Sequence, residues 1–69
     1  MERMTLNREL ESLKTPYGVI KIKLGSIDGQ TVQATPEFEN CKKAALKNKL
    51  PVKKVYESVL ALAHKKWLS

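Results

Sequence analysis

The sequence predicts an α+β fold of order βββαα, in which two helices pack on one face of a small three-stranded antiparallel sheet. Between Thr5 and Thr35, apolar and polar residues alternate, and two turn signatures divide the segment into three strands. From Pro36 onward the apolar residues recur every three or four positions, which is typical of amphipathic helices. A run of strands followed by a run of helices indicates an α+β domain.

The first strand is the least regular of the three. Leu6 and Leu10 fall on one face of an extended chain, whereas Leu13 has the opposite parity. Either a bulge near Glu11 and Ser12 restores the pattern, or one end of the strand is solvated.

Two short turns connect the predicted strands. In the segment TPYG, Pro16 takes the second turn position, where its fixed φ fits, and Gly18 takes the last. Asp28 and Gly29 form a favoured hairpin turn. The alternation of VIKIKL between these turns separates one set of residues, Ile20, Ile22 and Leu24, from the opposite set, Val19, Lys21 and Lys23. In the third strand, the residues expected to face inward are Val32 and Ala34.

The segment TPEFENCKKAALKN predicts the first helix. Thr35 is a plausible N-cap, Pro36 suits the first helical position, and Glu37 in the first turn complements the helix dipole. We expect the helix to end near Asn48, because the residue before Pro51 avoids the α region. The expected inner stripe consists of Phe38, Cys41 and Ala45.

The second helix is predicted to begin around Pro51. Its apolar stripe contains Val52, Val55, Tyr56, Val59, Leu60, Ala63 and Trp67, with Leu62 at the margin. The residues expected to face outward are Lys53, Lys54, Glu57, His64 and Lys65.

The length of 69 residues allows a single small domain spanning 1–69, with a core too small to give a large stability by itself. The single cysteine cannot form an internal disulfide and favours a reducing compartment, so we expect a cytoplasmic protein. The sequence contains no run of about 18 apolar residues, which argues against a membrane span. The N-terminal segment MERMTLNREL lacks the apolar region of a signal peptide. Partner chains, or the remainder of a larger protein, are the expected additional support.

The formal charge of +6 is unevenly distributed. Residues 1–40 contain five basic and six acidic groups, a balance of −1, whereas residues 41–69 contain eight basic groups and one acid, a balance of +7. A basic half favours polyanionic partners such as nucleotides, nucleic acid or acidic protein surfaces. The alternative is a solvated, lysine-rich helical surface.

Three cations on two neighbouring strands form the candidate phosphate site. Lys21 and Lys23 share the strand face opposite the isoleucines, and Arg8 lies on the preceding strand. Three cations across paired strands could hold a phosphate, although a solvent-facing strand has the same composition. The sequence contains neither a P-loop nor a GxGxxG motif.

Metal and nucleophile sites have less support. Glu37 and Glu39 are two positions apart and would point in different directions on a helix, so they cannot act as a pair. Cys41 lies on the predicted apolar stripe, where a thiol behaves as a small hydrophobe. Zinc sites use about four Cys, His or carboxylate ligands at characteristic spacing, and the chain has one cysteine and one histidine, which argues against a self-contained zinc site. His64 is expected on an outer helical face. The sequence leaves open a site for a hard cation bound by a few oxygen ligands together with a bound phosphate.

The aromatic residues give weak support for nucleic-acid binding. Phe38, Tyr56 and Trp67 fall on predicted helix stripes, and only Tyr17 is expected to be an exposed turn aromatic. Single-strand binders instead combine a basic groove with exposed aromatics on a sheet. A small basic nucleic-acid-binding module, or an oligomerisation module without a ligand, is therefore the alternative function.

Taken in order, the segments LNREL, TPYGVIKIKLG, TPEFENCKKAA and LPVKKVYESVLA resemble the C-terminal end of the LarC family, the nickel-insertion proteins of the nickel-pincer nucleotide cofactor pathway. The resemblance runs from about Arg3 to Ala63, and its most specific part is Pro36 to Cys41. It implies a lyase-class, CTP-dependent protein that installs nickel into a pyridinium-bisthiocarboxylic acid mononucleotide, with manganese or magnesium as the divalent metal. This chain would be the C-terminal portion, concerned with nucleotide binding and assembly.

The same resemblance implies the partners. They are the remainder of the nickel-insertion protein, further copies of the chain in a homo-oligomer, and the nucleotide. Nucleic acid and membrane are not expected as partners, and the chain by itself is expected to be inactive.

Two positions depart from the family pattern: Asn40 replaces the usual acid, and Lys49 replaces the usual glycine before the Leu-Pro step. Among cationic residues, the phosphate candidates are Arg8, Lys21 and Lys23. Glu37 is the candidate for binding a metal or for orienting a cation. The residues that match the family motif are Arg8, Tyr17, Gly18, Lys23, Pro36, Glu37, Phe38, Glu39 and Cys41.

Overall fold

The computed structural model of the protein describes residues 6–68, in which three strands precede two helices. The elements are β1 (Asn7–Thr15), β2 (Gly18–Ile27), β3 (Gln30–Pro36), α1 (Phe38–Asn48) and α2 (Val52–Trp67). The three strands form one antiparallel sheet of order β1-β2-β3. The predicted βββαα order is therefore confirmed. The expected start of the first strand at Thr5 lies outside the described residues.

Both predicted turns are present and use the backbone conformations that their residues favour. Gly18 has a φ of +118°, and the second turn has positive φ at both Asp28 (54°) and Gly29 (78°). Positive φ at both central residues is the mark of the turn whose twist matches two paired strands. The turns thus fix the pairing of neighbouring strands.

The question left open for β1 is answered by its pairing with β2. The two strands pair without interruption from Asn7 opposite Ser26 to Thr15 opposite Gly18. Leu10 is 57% exposed, whereas Leu13 is buried. No bulge is needed in β1, and its N-terminal part is solvated on the face that carries Leu10.

The irregularity of the sheet lies between β2 and β3. Gly25 pairs with Gln33 and Ser26 pairs with Thr31, so Val32 is an extra residue on β3. The prediction that Val32 faces inward is wrong, because this bulge disturbs the alternation and leaves the side chain 49% exposed. Ala34, beyond the bulge, is buried as predicted.

The first helix begins later than predicted because β3 continues through Pro36. Pro36 pairs with Ile22, and the Glu37 N–H donates to the Lys21 carbonyl oxygen at 2.8 Å. Thr35 is therefore a strand residue, and Glu37 takes the N-cap position with an extended backbone, φ −70° and ψ 121°. The predicted end of the first helix near Asn48 and the predicted start of the second helix around Pro51 are both confirmed.

Both helices cover one face of the sheet, as predicted, and the core lies between the two layers. The prediction that Phe38 belongs to the inner stripe is wrong: it is 55% exposed. Because α1 begins at this residue, Phe38 lies at the rim of the layer and contacts Tyr56 of α2, with ring centroids 6.4 Å apart. The buried hydrophobic residues are Leu13, Ile20, Ile22, Leu24, Ala34, Cys41, Ala44, Ala45, Val55, Val59 and Ala63.

Among the described residues, neither helix is both long enough and apolar enough to cross a membrane.

The end of α1 makes a prediction about stability. Lys49 has left-handed backbone angles, φ 58° and ψ 45°, at the position after the helix where glycine is commonest. A β-carbon disfavours this conformation, so Lys49→Gly should raise the free energy of unfolding by up to about 1 kcal/mol. Lys47→Gly, inside the same helix, should lower it by about 1 kcal/mol.

Denaturant unfolding of the two variants measures both changes against the unsubstituted chain. Equal destabilisation by the two substitutions would contradict the helix end described here.

Candidate functional site

A hollow of about 530 Å³ lies on the face of the sheet opposite the helices. Its volume is within the range of about 300–1,000 Å³ that is usual for small-molecule sites. Residues of all three strands, and the residue after β3, contribute to its walls. They are Arg8, Glu9, Leu10, Lys23, Leu24, Gly25, Gln33, Thr35 and Glu37.

Strand register brings two of the candidate cations together. Arg8 on β1 lies opposite Gly25 on β2, and Leu10 lies opposite Lys23. Arg8 and Lys23 are therefore diagonal neighbours on one sheet face, a relation in which Cβ atoms lie about 7–8 Å apart. Both side chains are exposed and both line the hollow. An anion placed between them would meet positive charge from two strands.

The third predicted phosphate residue, Lys21, lies on the same face but does not line the hollow. Its backbone is held by the start of α1: the carbonyl accepts from the Glu37 N–H at 2.8 Å. The Lys21 N–H donates to Asn40 Oδ1 at 3.0 Å. The structure therefore separates Lys21 from the pair formed by Arg8 and Lys23, and gives its backbone a role in joining the sheet to the helix.

The carboxylate of Glu37 lies within 3.3 Å of Lys23 Nζ. The Lys23 side chain is 62% exposed and that of Glu37 is 37% exposed, so water screens this pair and its contribution to stability is small. Its geometric effect is to orient the lysine at the rim of the hollow. The two roles predicted for Glu37, binding a metal and orienting a cation, both stay predictions, and the ion pair shows only that Glu37 and Lys23 are close enough for the second.

Metal binding by the protein alone has no support in the part of the chain that the structure describes. Residues 6–68 contain no group of three or more His, Cys, Asp or Glu side chains that could hold an ion. Magnesium and manganese, however, are commonly bound by one or two carboxylates together with substrate phosphates and water. Glu37 fits that arrangement only when a phosphate shares the hollow.

Sequence reasoning missed Gly25 and Gln33 as site residues. They face each other across β2 and β3, and both line the hollow. Neither carries a charge, and their juxtaposition depends on the bulge at Val32, which lies between this pair and the turn at Asp28 and Gly29. A sequence signal existed only in the glycine inside an otherwise apolar strand, since such a glycine often marks a bulge or a close approach to the backbone.

Cys41 and His64 lie away from the hollow. Cys41 is fully buried in the core, and burial raises the pKa of its thiol above the ordinary value. His64 is exposed on α2, and its carbonyl accepts the Leu68 N–H at 2.8 Å. The core interpretation of Cys41 and the outward placement of His64 are both confirmed.

The aromatic residues are distributed differently from the prediction. Tyr17 was expected to be exposed, but it is half-buried against the core, and its hydroxyl donates to Ser58 Oγ at 3.3 Å. Phe38 and Tyr56 instead line a shallow apolar notch with Val52 and Lys53. None of the four aromatic residues of the chain lines the hollow on the sheet, so base stacking on the sheet by aromatic side chains has no support.

Comparisons of the sequence and of the structure with known proteins agree in pointing to nickel insertion proteins. The family described as nickel insertion protein matches residues 1–56. The chain is 40% identical over 58 residues to a pyridinium-3,5-bisthiocarboxylic acid mononucleotide nickel insertion protein of Thermotoga sp. strain RQ2, covering 84% of this chain and 14% of the relative. The protein of the same name from Acetivibrio thermocellus is 41% identical over 58 residues, with the same two coverages.

A solved structure is also similar. It is LarC2, the C-terminal domain of a cyclometallase involved in the synthesis of the NPN cofactor of lactate racemase, in its apo form. The TM-score is 0.74 at 25% sequence identity, and the match covers 91% of this chain and 42% of that chain. The fold described above is therefore the fold of part of that domain, and the chain spans about one-seventh of the length of the two curated relatives.

The buried thiol leads to a prediction about reactivity. Because only the thiolate attacks a disulfide reagent and the folded state disfavours it, Cys41 should react at pH 8 at least about tenfold more slowly in the folded chain than in guanidinium chloride. The folded state retains the thiol proton where the unfolded chain releases it, so Cys41 should also lower stability as the pH rises above about 8.5. Spectrophotometric thiol titration measures the first effect and denaturant unfolding at several pH values measures the second.

Cys41→Ala is the control for both measurements, since it removes the thiol. Equal reaction rates in the folded and unfolded chains would contradict the burial of Cys41.

Proposed function

Because the chain belongs to the nickel insertion protein family and matches the LarC C-terminal domain, we propose that it is the nucleotide-binding and assembly module of a CTP-dependent nickel insertion protein. The reaction served would be nickel insertion into a pyridinium bisthiocarboxylic acid mononucleotide, the compound in the names of its relatives. The observation that carries the proposal is the convergence of Arg8 and Lys23 on one hollow, next to Glu37.

The two cations suit phosphate in different ways. The Arg8 guanidinium offers several donors in a planar fork that can engage two oxygens at once, whereas Lys23 acts as a mobile point charge. Glu37 restrains the lysine by their 3.3 Å contact, which lowers the conformational freedom that phosphate binding would otherwise remove. A phosphate group at this end of the hollow would meet donors that are already placed.

Lys21 extends the same charged face along β2. It precedes Lys23 by two residues, so both side chains project from the same side of the strand. A triphosphate running along β2 from the hollow would reach Lys21 with its distal phosphate. In this proposal Lys21 contributes more to the binding affinity for triphosphates than to that for monophosphates.

A divalent metal would enter with the nucleotide. Glu37 supplies the carboxylate, and the phosphate oxygens and water supply the remaining oxygen ligands that manganese or magnesium requires. The metal would neutralise phosphate charge next to that carboxylate. Nickel is the substrate of the proposed reaction, and this chain is assigned no ligand for it.

The chain by itself is proposed to bind without turnover. It spans 14% of the length of the two relatives, and its hollow is formed by one open sheet face. A catalytic site requires convergent groups around the reacting atoms. We propose that the remainder of a cytoplasmic nickel insertion protein supplies them, together with further copies of this module.

Nucleotide binding can be tested directly by NMR. Addition of CTP with magnesium should shift the amide signals of Arg8, Lys23 and Glu37 more than those of α2. Arg8→Gln and Lys23→Gln should each weaken binding by about tenfold, since each removes a charge-assisted hydrogen bond.

Lys14→Gln is the matched control, because Lys14 is an exposed cation of β1 that does not line the hollow. It should change the affinity by less than about twofold, in keeping with the screening of distant surface charges. If millimolar CTP produced no shifts, or if the three substitutions weakened binding equally, the phosphate site would be rejected.

Assembly is a separate expectation. Val19 is 59% exposed on the open sheet face and does not line the hollow, so a second copy could cover it without closing the nucleotide site. Sedimentation equilibrium should therefore give a weight-average mass that rises above 7.8 kDa with protein concentration. A mass that stays at the monomer value up to millimolar concentration would count against self-association.

A further inference from the structure

We propose that the apolar notch at the N-terminal ends of the two helices docks an acidic amphipathic segment of a partner protein. An apolar side chain of that segment would enter the notch, and its carboxylates would pair with the lysines around it. The notch belongs to the helical layer and shares no residue with the hollow on the open sheet face, so this inference does not depend on nucleotide binding.

The notch has a volume of about 470 Å³ and three apolar walls. Phe38 begins α1, Val52 begins α2, and Tyr56 lies one turn further along α2. The ring centroids of Phe38 and Tyr56 are 6.4 Å apart and the ring planes are inclined at 53°, within the range of favourable aromatic pairs. This pair holds Phe38 at the edge of the notch instead of leaving its ring free in solvent.

The exposure of these walls distinguishes the notch from a core contact. Phe38 is 55% exposed, and Val52 and Tyr56 are only partly buried where they pack against the core. Single exposed apolar residues are common on soluble proteins, but here three of them adjoin around a concave surface. Aromatic side chains at such places are typical anchors of protein interfaces, because covering them releases water from apolar surface.

Lysines lie beside the apolar walls. Lys53 lines the notch, and Lys42 is exposed one helical turn after Phe38, on the same side of α1. The acid next to Phe38 is Glu39, which precedes Lys43 by four residues, the order that favours an ion pair along the surface of a helix. The side of α1 that carries Phe38 therefore presents a lysine rather than a carboxylate.

The wider charge of the helical half has the same sign. Residues 41–69 contain eight basic groups and a single acid, Glu57. Glu57 follows Lys53 by four residues and offsets one of these charges. An acidic segment that approaches the helices would therefore meet complementary charge, whereas a basic segment would be repelled.

Charge and shape together favour one kind of occupant. In a twofold contact, a second copy would bring its own Lys42 and Lys53 against these lysines. Nucleic acid would neutralise the lysines, but its bases need open aromatic faces, and Phe38 and Tyr56 lean on each other. An amphipathic protein segment matches both the apolar walls and the lysines, as do helices that place apolar anchors in a groove. Further polypeptide accompanies this fold in the LarC2 domain, since the match covers 42% of that chain.

The test uses the 69-residue chain and three anionic probes. The first is a synthetic peptide of roughly 15 residues, about four helical turns, with leucine at every third or fourth position and glutamate between them. The second is the same peptide with serine in place of leucine, and the third is an oligothymidylate of similar charge. The leucine peptide should bind and should shift the amide signals of Phe38, Val52 and Tyr56 more than those of β1.

Two substitutions test the two properties of the notch. Phe38→Ala should weaken binding of the leucine peptide by about tenfold, because it removes the exposed aromatic wall. Val19→Ala is its matched control, an exposed apolar residue of the open sheet face, and should change the affinity by less than about twofold. Lys53→Gln should weaken binding by about threefold, the effect of one exposed ion pair, and Lys14→Gln on β1 should leave it unchanged. Thermal unfolding of each variant, with Phe38→Leu as a milder substitution that retains part of the affinity, separates loss of the anchor from loss of the fold.

Four results would overturn the docking site. The first is a serine peptide that binds as tightly as the leucine peptide, since charge alone would then explain binding. The second is binding by the oligothymidylate alone, which would make the surface a nucleic-acid site. The third is loss of self-association in Phe38→Ala with no change in peptide affinity, which would assign the notch to a second copy. The fourth is the absence of binding by either peptide at millimolar concentration.

Titration of the same samples with CTP and magnesium tests the proposed function separately. Lys53→Gln should leave the CTP affinity within about twofold, because Lys53 does not line the hollow. Failure of the leucine peptide with normal CTP binding would overturn the docking site and leave the nucleotide site standing. Failure of CTP with normal peptide binding would reject the nucleotide site and support the notch as an independent surface.

Discussion

The backbone of Lys21 holds the sheet and the first helix in one fixed relation. Its carbonyl accepts from the Glu37 N–H, and its N–H donates to Asn40 Oδ1. These bonds extend the β2–β3 pairing one residue beyond Pro36 and attach the first turn of α1 to the edge of β2. Because that attachment sets where the helix starts, it places Glu37 on the open face beside Lys23 and directs Cys41 of the same segment into the core.

The two faces of β2 then have separate tasks. Ile20 and Ile22 are buried beneath the helices, while Lys23 and Gly25, two residues apart on the other face, line the hollow. The strand can serve both because its side chains alternate and because the helices cover one side only. Arg8 reaches the hollow through its pairing with Gly25, so the site depends on the β1–β2 register as much as on any single residue.

The sequence was sufficient to predict those elements whose position depends on neighbouring residues. It was not sufficient where a contact between residues distant in the chain determines the position of an element or of a site residue. The alternation around Ile22 and the turn at Asp28 were sufficient to place β2, since periodicity and turn chemistry are local properties. The start of α1 could not be predicted from Thr35, because the strand pairing of Pro36 with Ile22 overrides a favourable capping sequence. Arg8, Lys23 and Glu37 could be selected by charge, but Gln33 could not, since its place over Gly25 requires the register of β3 and the bulge.

Asn40 lets the start of α1 hold β2 without adding a charge next to the site. Its amide oxygen accepts the Lys21 N–H at 3.0 Å, a bond that a carboxylate oxygen could also accept. Because a neutral side chain makes this bond, Glu37 is the carboxylate that contacts Lys23. The hollow is lined by two cations, Arg8 and Lys23, and by two acids, Glu9 and Glu37, so its formal charge balances. A phosphate bound there would therefore depend on the directed donors of Arg8 and Lys23, or on a divalent cation bound with it, rather than on a general excess of positive charge.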